Sequence, residues 1–115
     1  MNSLRNTVQL IGNLGQEVKY FNFDSGSAKA SFTLATNDYY KNSKGEKVQD
    51  TQWHNVVAWG NLAENMKTIL DKGSEVMVKG KLTSRSYDDK EGNKRYVTEI
   101  VASEFVSFTK KEMPF

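Results

Sequence analysis

The sequence predicts an all-β domain with one helix: a five-stranded Greek-key barrel whose helix lies between strands 3 and 4. Three observations predict it. Apolar and polar residues alternate in several segments, the mark of half-buried strands. Val, Thr, Tyr, Phe and Trp are spread along most of the chain, and these residues favour strands. Only Asn61–Lys72 carries helical spacing, with Leu62, Met66, Ile69 and Leu70 at i, i+4, i+7 and i+8.

The first strand is Asn6–Gly15, with Val8, Leu10 and Gly12 on one face and Thr7, Gln9 and Ile11 on the other. Glycine inside a strand marks a bend or a close backbone approach, so Gly12 and Gly15 predict a long bent strand that serves two sheets. Glu17–Phe23 continues extended into a turn at Asp24–Ser27. Ala28–Thr36 is the second strand, with Ala30, Phe32 and Leu34 on its apolar face. Asn37–Asp50 is polar and reads as a long loop or a flexible hairpin. The third strand, Thr51–Gly60, holds both tryptophans of the chain. For the helix, Asn61 is the expected cap, with Glu64 three residues on and Gly73 at the left-handed position past its end. Glu75–Tyr87 is the fourth strand and Tyr96–Phe108 the fifth, joined by a polar turn containing Gly92. The domain is expected over residues 1–108, with 109–115 a short tail.

The tryptophan strand carries the first functional signal. Trp53, Asn55, Val57 and Trp59 fall on one face, and His54, Val56 and Ala58 on the other. Two readings are open. Large aromatics usually bury, which makes both tryptophans core. Alternatively the small Val56 and Ala58 face the core and the rings stand outside. They would then form a stacking platform that takes the π-face of any nucleobase. The fourth strand poses a similar choice. Val76, Val78, Gly80 and Leu82 form its apolar face, and Lys79, Lys81, Thr83, Arg85 and Tyr87 the other. Those cations are either a solvated surface or a stripe that neutralises phosphates.

Composition bounds the function. The 115 residues suffice for one domain with one core. Lys and Arg total 16 against 14 Asp and Glu, and a net charge of +2 does not by itself indicate nucleic acid. Cysteine is absent, which excludes disulfides, thiol catalysis and cysteine-ligated zinc. His54 is the only histidine, so neither a metal site nor a cofactor is expected. No nucleophile–base set or phosphate-binding loop is present, so no catalysis is expected. The start Met-Asn-Ser-Leu-Arg has no signal-peptide core, and no apolar run spans a bilayer. The expected location is the cytoplasm, with the nucleoid.

Strand, strand, strand, helix, strand, strand is the order of the OB-fold, whose binding surface centres on strands 2 and 3 and the loops L12 and L45. Seven segments of the chain then resemble one family. They are Val-Gln-Leu-Ile-Gly-Asn-Leu-Gly (8–15), Phe-Thr-Leu-Ala-Thr (32–36), Thr-Gln-Trp-His-Asn-Val-Val (51–57), Trp-Gly-Asn-Leu-Ala-Glu (59–64), Lys-Gly-Ser-Glu-Val (72–76), Gly-Lys-Leu-Thr-Ser-Arg-Ser-Tyr (80–87) and Arg-Tyr-Val-Thr-Glu-Ile (95–100). Together, in this order, they resemble the bacterial single-stranded DNA-binding proteins. The resemblance implies sequence-independent binding and protection of single-stranded DNA in replication, recombination and repair. It implies a homotetramer and four stacking positions, matched by Tyr40, Trp53, Trp59 and Tyr87. With it, the platform reading of the tryptophans is preferred, and Lys79, Lys81 and Arg85 become phosphate contacts. It also implies that His54 sits near a subunit interface. Family members carry a long disordered tail with an acidic tip that docks replication and repair enzymes. Glu112, Pro114 and Phe115 match the tip, with Lys110 and Lys111 in place of acids and without the long linker. The alternative is an OB-fold adaptor of the primosome type, acting mainly through protein contacts. Stacking and phosphate contacts do not separate DNA from RNA.

Overall fold

The computed structural model describes residues 3–23 and 26–108. A short 3-10 turn at Ser3–Arg5 leads into β1 (Val8–Leu14) and β2 (Lys19–Asn22). Two long strands follow, β3 (Ala28–Lys41) and β4 (Lys47–Trp59), then α1 (Asn61–Ile69), β5 (Glu75–Asp88) and β6 (Lys94–Ser107). The sheet order is β1-β5-β6-β4-β3-β2, and an additional β1–β3 pairing closes it into a barrel.

The five predicted strands are therefore present, with the first broken into β1 and β2. β1 pairs with β5 from Val8↔Gly80 to Asn13↔Glu75, then turns onto β3 through Asn13↔Ala35 and Leu14↔Leu34. β2 continues along β3. Gly12 permits the bend: a β-carbon there would overlap the Ala35 carbonyl, so only glycine lets the two backbones meet. The seam on the far side is parallel, Val56↔Ile100 and Val57↔Val101. Of the two readings of 37–50, loop or hairpin, the hairpin holds, because β3 and β4 stay paired from Lys29↔Trp59 to Lys41↔Lys47.

Inside the barrel lie Ala30, Phe32 and Leu34 of β3, Val56 and Ala58 of β4, Val76 and Val78 of β5, and Ile100 and Ala102 of β6. Period-2 alternation places each on the inner face. The helix covers one end with Ala63 and Met66, followed by Leu70.

Four details of the helix differ from expectation. It ends at Ile69, and Leu70 is already extended. Its cap is Gly60 at φ 66°, and no side chain caps it, so Asn61 is the first helical residue. Gly73 is left-handed at φ 87°, but in a separate turn closed by Ser74 N–H to the Asp71 carbonyl. Ala63 takes the buried place expected of Ile69, which is exposed.

Candidate nucleic-acid interface

The outer face of β3 and β4 is a flat floor of small side chains between two rings. Register sets Ala35 beside Trp53, Thr33 beside Asn55, Ser31 beside Val57 and Lys29 beside Trp59. Val56 and Ala58 are fully buried on the opposite face, while Trp53 is 62% and Trp59 49% exposed. The core reading of the tryptophans is thereby excluded. The two rings are six residues apart on one strand, roughly 20 Å at the usual rise.

Between them runs a groove. Ser31, Thr33, Asn55 and Val57 line its floor, Gln16, Glu17 and Lys19 one bank, and Arg85, Val97 and Glu99 the other. Beyond Asn55 it meets a hollow lined by Trp53, His54, Leu82 and Thr98. Trp53 is seated by Gly15, where a β-carbon would overlap the ring.

Charge in the groove is balanced. Arg85 donates through Nε to Glu99 Oε1 at 3.1 Å and through Nη2 to Oε2 at 3.3 Å. That hydrogen-bonded carboxylate raises the Arg85 pKa further. The guanidinium stays more than half exposed and the carboxylate is mostly covered. Arg85 can therefore meet a phosphate only by sharing itself with Glu99.

The three expected phosphate contacts do not share this groove. Lys79 pairs with Glu104 at 3.6 Å and lines a hollow with Gln9, Met77 and Val106. Lys81 lines another with Asn6 and Thr7. Only Arg85 faces the tryptophans. β5 runs 14 residues around the barrel, and its twist carries the stripe from the β1 side at Lys79 and Lys81 to the tryptophan side at Arg85.

Four of the five tyrosines are exposed, and Tyr20 packs half-buried against the core. Tyr40 is 54% exposed and pairs with Val48, on the His54 side of the β3–β4 hairpin. Its neighbour Tyr39 pairs with Gln49 on the tryptophan side, with Lys47 Nζ 4.6 Å from its ring centroid. Tyr87 follows Arg85 on the same face of β5, opposite Arg95. Tyr96 sits on the other face, opposite Ser86. The hairpin tip between them is fixed by Asp89, which accepts from the Glu91 and Asn93 N–H groups and from Arg95 Nε. Those bonds, the Arg95 contact foremost, hold the Asp89 carboxyl below its ordinary value.

His54 is half-buried and shares a 2.9 Å hydrogen bond between Nε2 and Thr36 Oγ1. Glu112, Pro114 and Phe115 lie outside the described residues, as do Asp24 and Ser25 of the predicted turn. Sequence reasoning passed over Phe21, Phe23, Lys19 and Lys29. Phe21 pairs with Lys29, which pairs with Trp59, so the three form one row across β2, β3 and β4. The phenylalanines of Tyr20-Phe21-Asn22-Phe23 are two apart, and that alternation was the available signal.

The comparisons agree with this geometry. A family model described as the single-strand binding protein family matches residues 5–108. The chain is 44% identical over 108 residues to single-stranded DNA-binding protein 1 of Xylella fastidiosa, covering 93% of this chain and 79% of that protein. It is 44% identical over 100 residues to single-stranded DNA-binding protein 1 of Chlorobaculum tepidum, covering 86% of this chain and 62% of that one. A solved Plasmodium falciparum SSB complex with ssDNA superposes with a TM-score of 0.82 at 29% identity, covering 95% and 98% of the two chains. A deletion mutant of the Thermus aquaticus single-stranded DNA-binding protein gives 0.77 at 27%, covering 90% of this chain and 50% of that one.

Proposed function

The chain belongs to the single-strand binding protein family, and from that premise we propose that it coats single-stranded DNA without regard to sequence and without catalysis. One observation carries the reading: Trp53 and Trp59 stand open at the two ends of a groove with Arg85 on its bank. Bases stack on the rings while cations meet the phosphates, and neither contact reads sequence. Tyr87 extends the stacking surface along the β5–β6 hairpin, and Tyr40, on the His54 side of the β3–β4 hairpin, takes a base where the strand crosses that hairpin. Lys79 and Lys81 lie off the groove, where a strand that wraps around the barrel would meet them. The biological setting is replication, recombination and repair, in the cytoplasm with the nucleoid. Among the described residues no helix is long and apolar enough to cross a membrane. The relatives above favour DNA coating over the adaptor reading.

Assembly into a homotetramer is part of the proposal. The outer face of β1, β5 and β6 carries Ile11, Met77 and Val106 in one register row. Ile11 and Val106 are each about half exposed, and so is Phe108 nearby. A contiguous apolar row marks an interaction surface. A tetramer with two-fold symmetry needs a second kind of interface. The hollow beside His54, with Leu82 47% exposed, supplies one. A bulky aromatic at His54 should then weaken association before it disturbs the fold. Docking of replication and repair enzymes on Glu112, Pro114 and Phe115 completes the proposal.

The test is titration of intrinsic tryptophan fluorescence with dT and rU homopolymers, with mass followed by light scattering. Replacing Trp53 or Trp59 by Ala should cost roughly 1–3 kcal/mol per stacked base and leave unfolding nearly unchanged. Variants that bind as wild type would remove the platform, and a monomer at micromolar concentration would remove the tetramer.

A further inference from the structure

The groove does not end at Trp59. The row Phe21–Lys29–Trp59 continues the outer face onto β2, beyond the two tryptophans. Phe23, two residues past Phe21, lies beside Trp59 with ring centroids 6.5 Å apart and planes inclined by 25°. Lys29 Nζ sits 5.4 Å from the Trp59 centroid. Phe21 and Phe23 are 47% and 45% exposed.

Packing alone accounts poorly for this cluster. Direct ring pairs have centroids about 4.5–7 Å apart, so Phe23 and Trp59 meet at the loose end of that range. Each ring keeps about half its surface open, although neighbouring β2 positions could carry polar groups at no cost to the core. An apolar strand end would be satisfied by one such ring. Here two phenylalanines and a cation stand beside a ring already placed on the binding surface.

We infer that Phe23, supported by Phe21 and Lys29, is a further nucleobase-stacking site that carries the strand past Trp59 onto β2. This inference rests on the single-stranded DNA reading above. The occupant is a base of the same strand, because the cluster is continuous with Trp59. It also repeats the combination of an open ring and an adjacent cation that suits a base and its phosphate. Lys29, between the Phe21 and Trp59 positions, meets the phosphate that joins the two stacked bases. The turn geometry does not depend on the ring: Phe23 N–H donates to the Ser27 carbonyl, and the Phe23 carbonyl accepts from Gly26 N–H.

The experiment uses end-labelled oligo(dT) of graded length, read by polarisation so that changes at Trp59 do not enter the signal. Phe23→Ala and Phe23→Leu should each bind groove-filling oligonucleotides about 5- to 100-fold more weakly, with a smaller occluded site size. Leu keeps apolar cover over Trp59, so equal losses assign the effect to the ring. Lys29→Gln should flatten the slope of log K against log salt by about 0.7. Thermal unfolding of each variant should match wild type, and if Phe23→Ala unfolds, Phe23→Leu still reads the effect. Wild-type affinity in both Phe23 variants, alongside a loss in Trp53→Ala, overturns this inference and leaves the DNA reading standing. Tighter binding would make Phe23 a shield over Trp59, and a change in molecular mass without a change in affinity would make the cluster a protein interface. Either outcome overturns it. Failure of wild type itself to bind oligo(dT) would overturn both readings.

Discussion

The six-membered ring of Trp53 lies over Gly15, so close that a β-carbon at residue 15 would overlap two of its carbons. Thr33 Oγ1 closes the same spot at 3.1 Å from that β-carbon position. A missing side chain just past β1 thus sets the pose of a ring on β4. Gly15→Ala should push the ring off its seat and weaken DNA binding by up to one stacked base, about 1–3 kcal/mol. Stability should fall less than for overpacking in a core, because the ring is exposed and can yield. Paired measurements of oligo(dT) affinity and thermal midpoint decide it. Unchanged affinity with an unchanged tryptophan emission maximum would show that the seat has no role.

The Arg85–Glu99 pair gives a prediction of opposite sign. Glu99 occupies the guanidinium that faces the groove. Glu99→Gln should release it for phosphate, tighten binding at low salt and steepen the salt slope by up to about 0.7. Arg85→Gln should flatten the wild-type slope only by the share that Glu99 leaves to phosphate, the two changes together coming to about 0.7. If Glu99→Gln weakens binding instead, the carboxylate serves to aim Arg85 and the balance argument is wrong.

Tyr39 and Tyr40 separate the resemblance from the register. The family pattern selects Tyr40, whereas strand pairing puts Tyr39 on the tryptophan side. A strand that stays on the groove face should lose roughly 1–3 kcal/mol with Tyr39→Ala and less with Tyr40→Ala. The reverse order in a binding titration would mean that the strand crosses the hairpin to its other face.

Acid should loosen the β5–β6 hairpin tip before the barrel. The Asp89 carboxyl is held below its ordinary value, mainly by the Arg95 hydrogen bond and then by backbone N–H groups. A depressed carboxyl contributes stability in full above the unfolded value of about 3.9 and loses it as pH falls through the folded one. Amide exchange near Glu91 and Asn93 should therefore accelerate below about pH 4, relative to β1–β5 amides. Asp89→Asn should show that faster exchange already at neutral pH. Equal protection in both proteins would rule out Asp89 as the brace.

Much of this was legible in the residues. Period-2 alternation fixed the inner face of β1, of β3 and of β5 as far as Val78, because a one-residue slip would bury polar groups, while Leu82, expected on that same face, is exposed. The small Val56 and Ala58 opposite the tryptophans pointed to the open platform. Three features were hidden. Whether Asn37–Asp50 pairs is a matter of cross-strand contacts that polar composition does not encode. The side of the barrel reached by Lys79 and Lys81 depends on how β5 twists along its pairing with β1 and β6, which alternation does not encode. The cluster at Phe23 was missed because β2 is short and its partner row is set by β3. The helix cap failed for a simpler reason: Gly60 takes a positive φ that relieves Asn61 of the capping position.

The barrel is completed by its earliest strand. β1 should find β5 only after both hairpins have been made, since Val8 pairs with Gly80 across most of the chain, while β3–β4 and β5–β6 join neighbours. Closure of so long a loop is entropically slow, and such topologies fold in about milliseconds to seconds. The tryptophan floor belongs to a local hairpin and can form early, whereas the Arg85 bank reaches it only on closure. In refolding, tryptophan fluorescence should therefore change before β1 amides become protected. Gly12→Ala, which obstructs the bend, should slow the second event and spare the first. Simultaneous signals in both proteins would mean that the floor has no existence apart from the closed barrel.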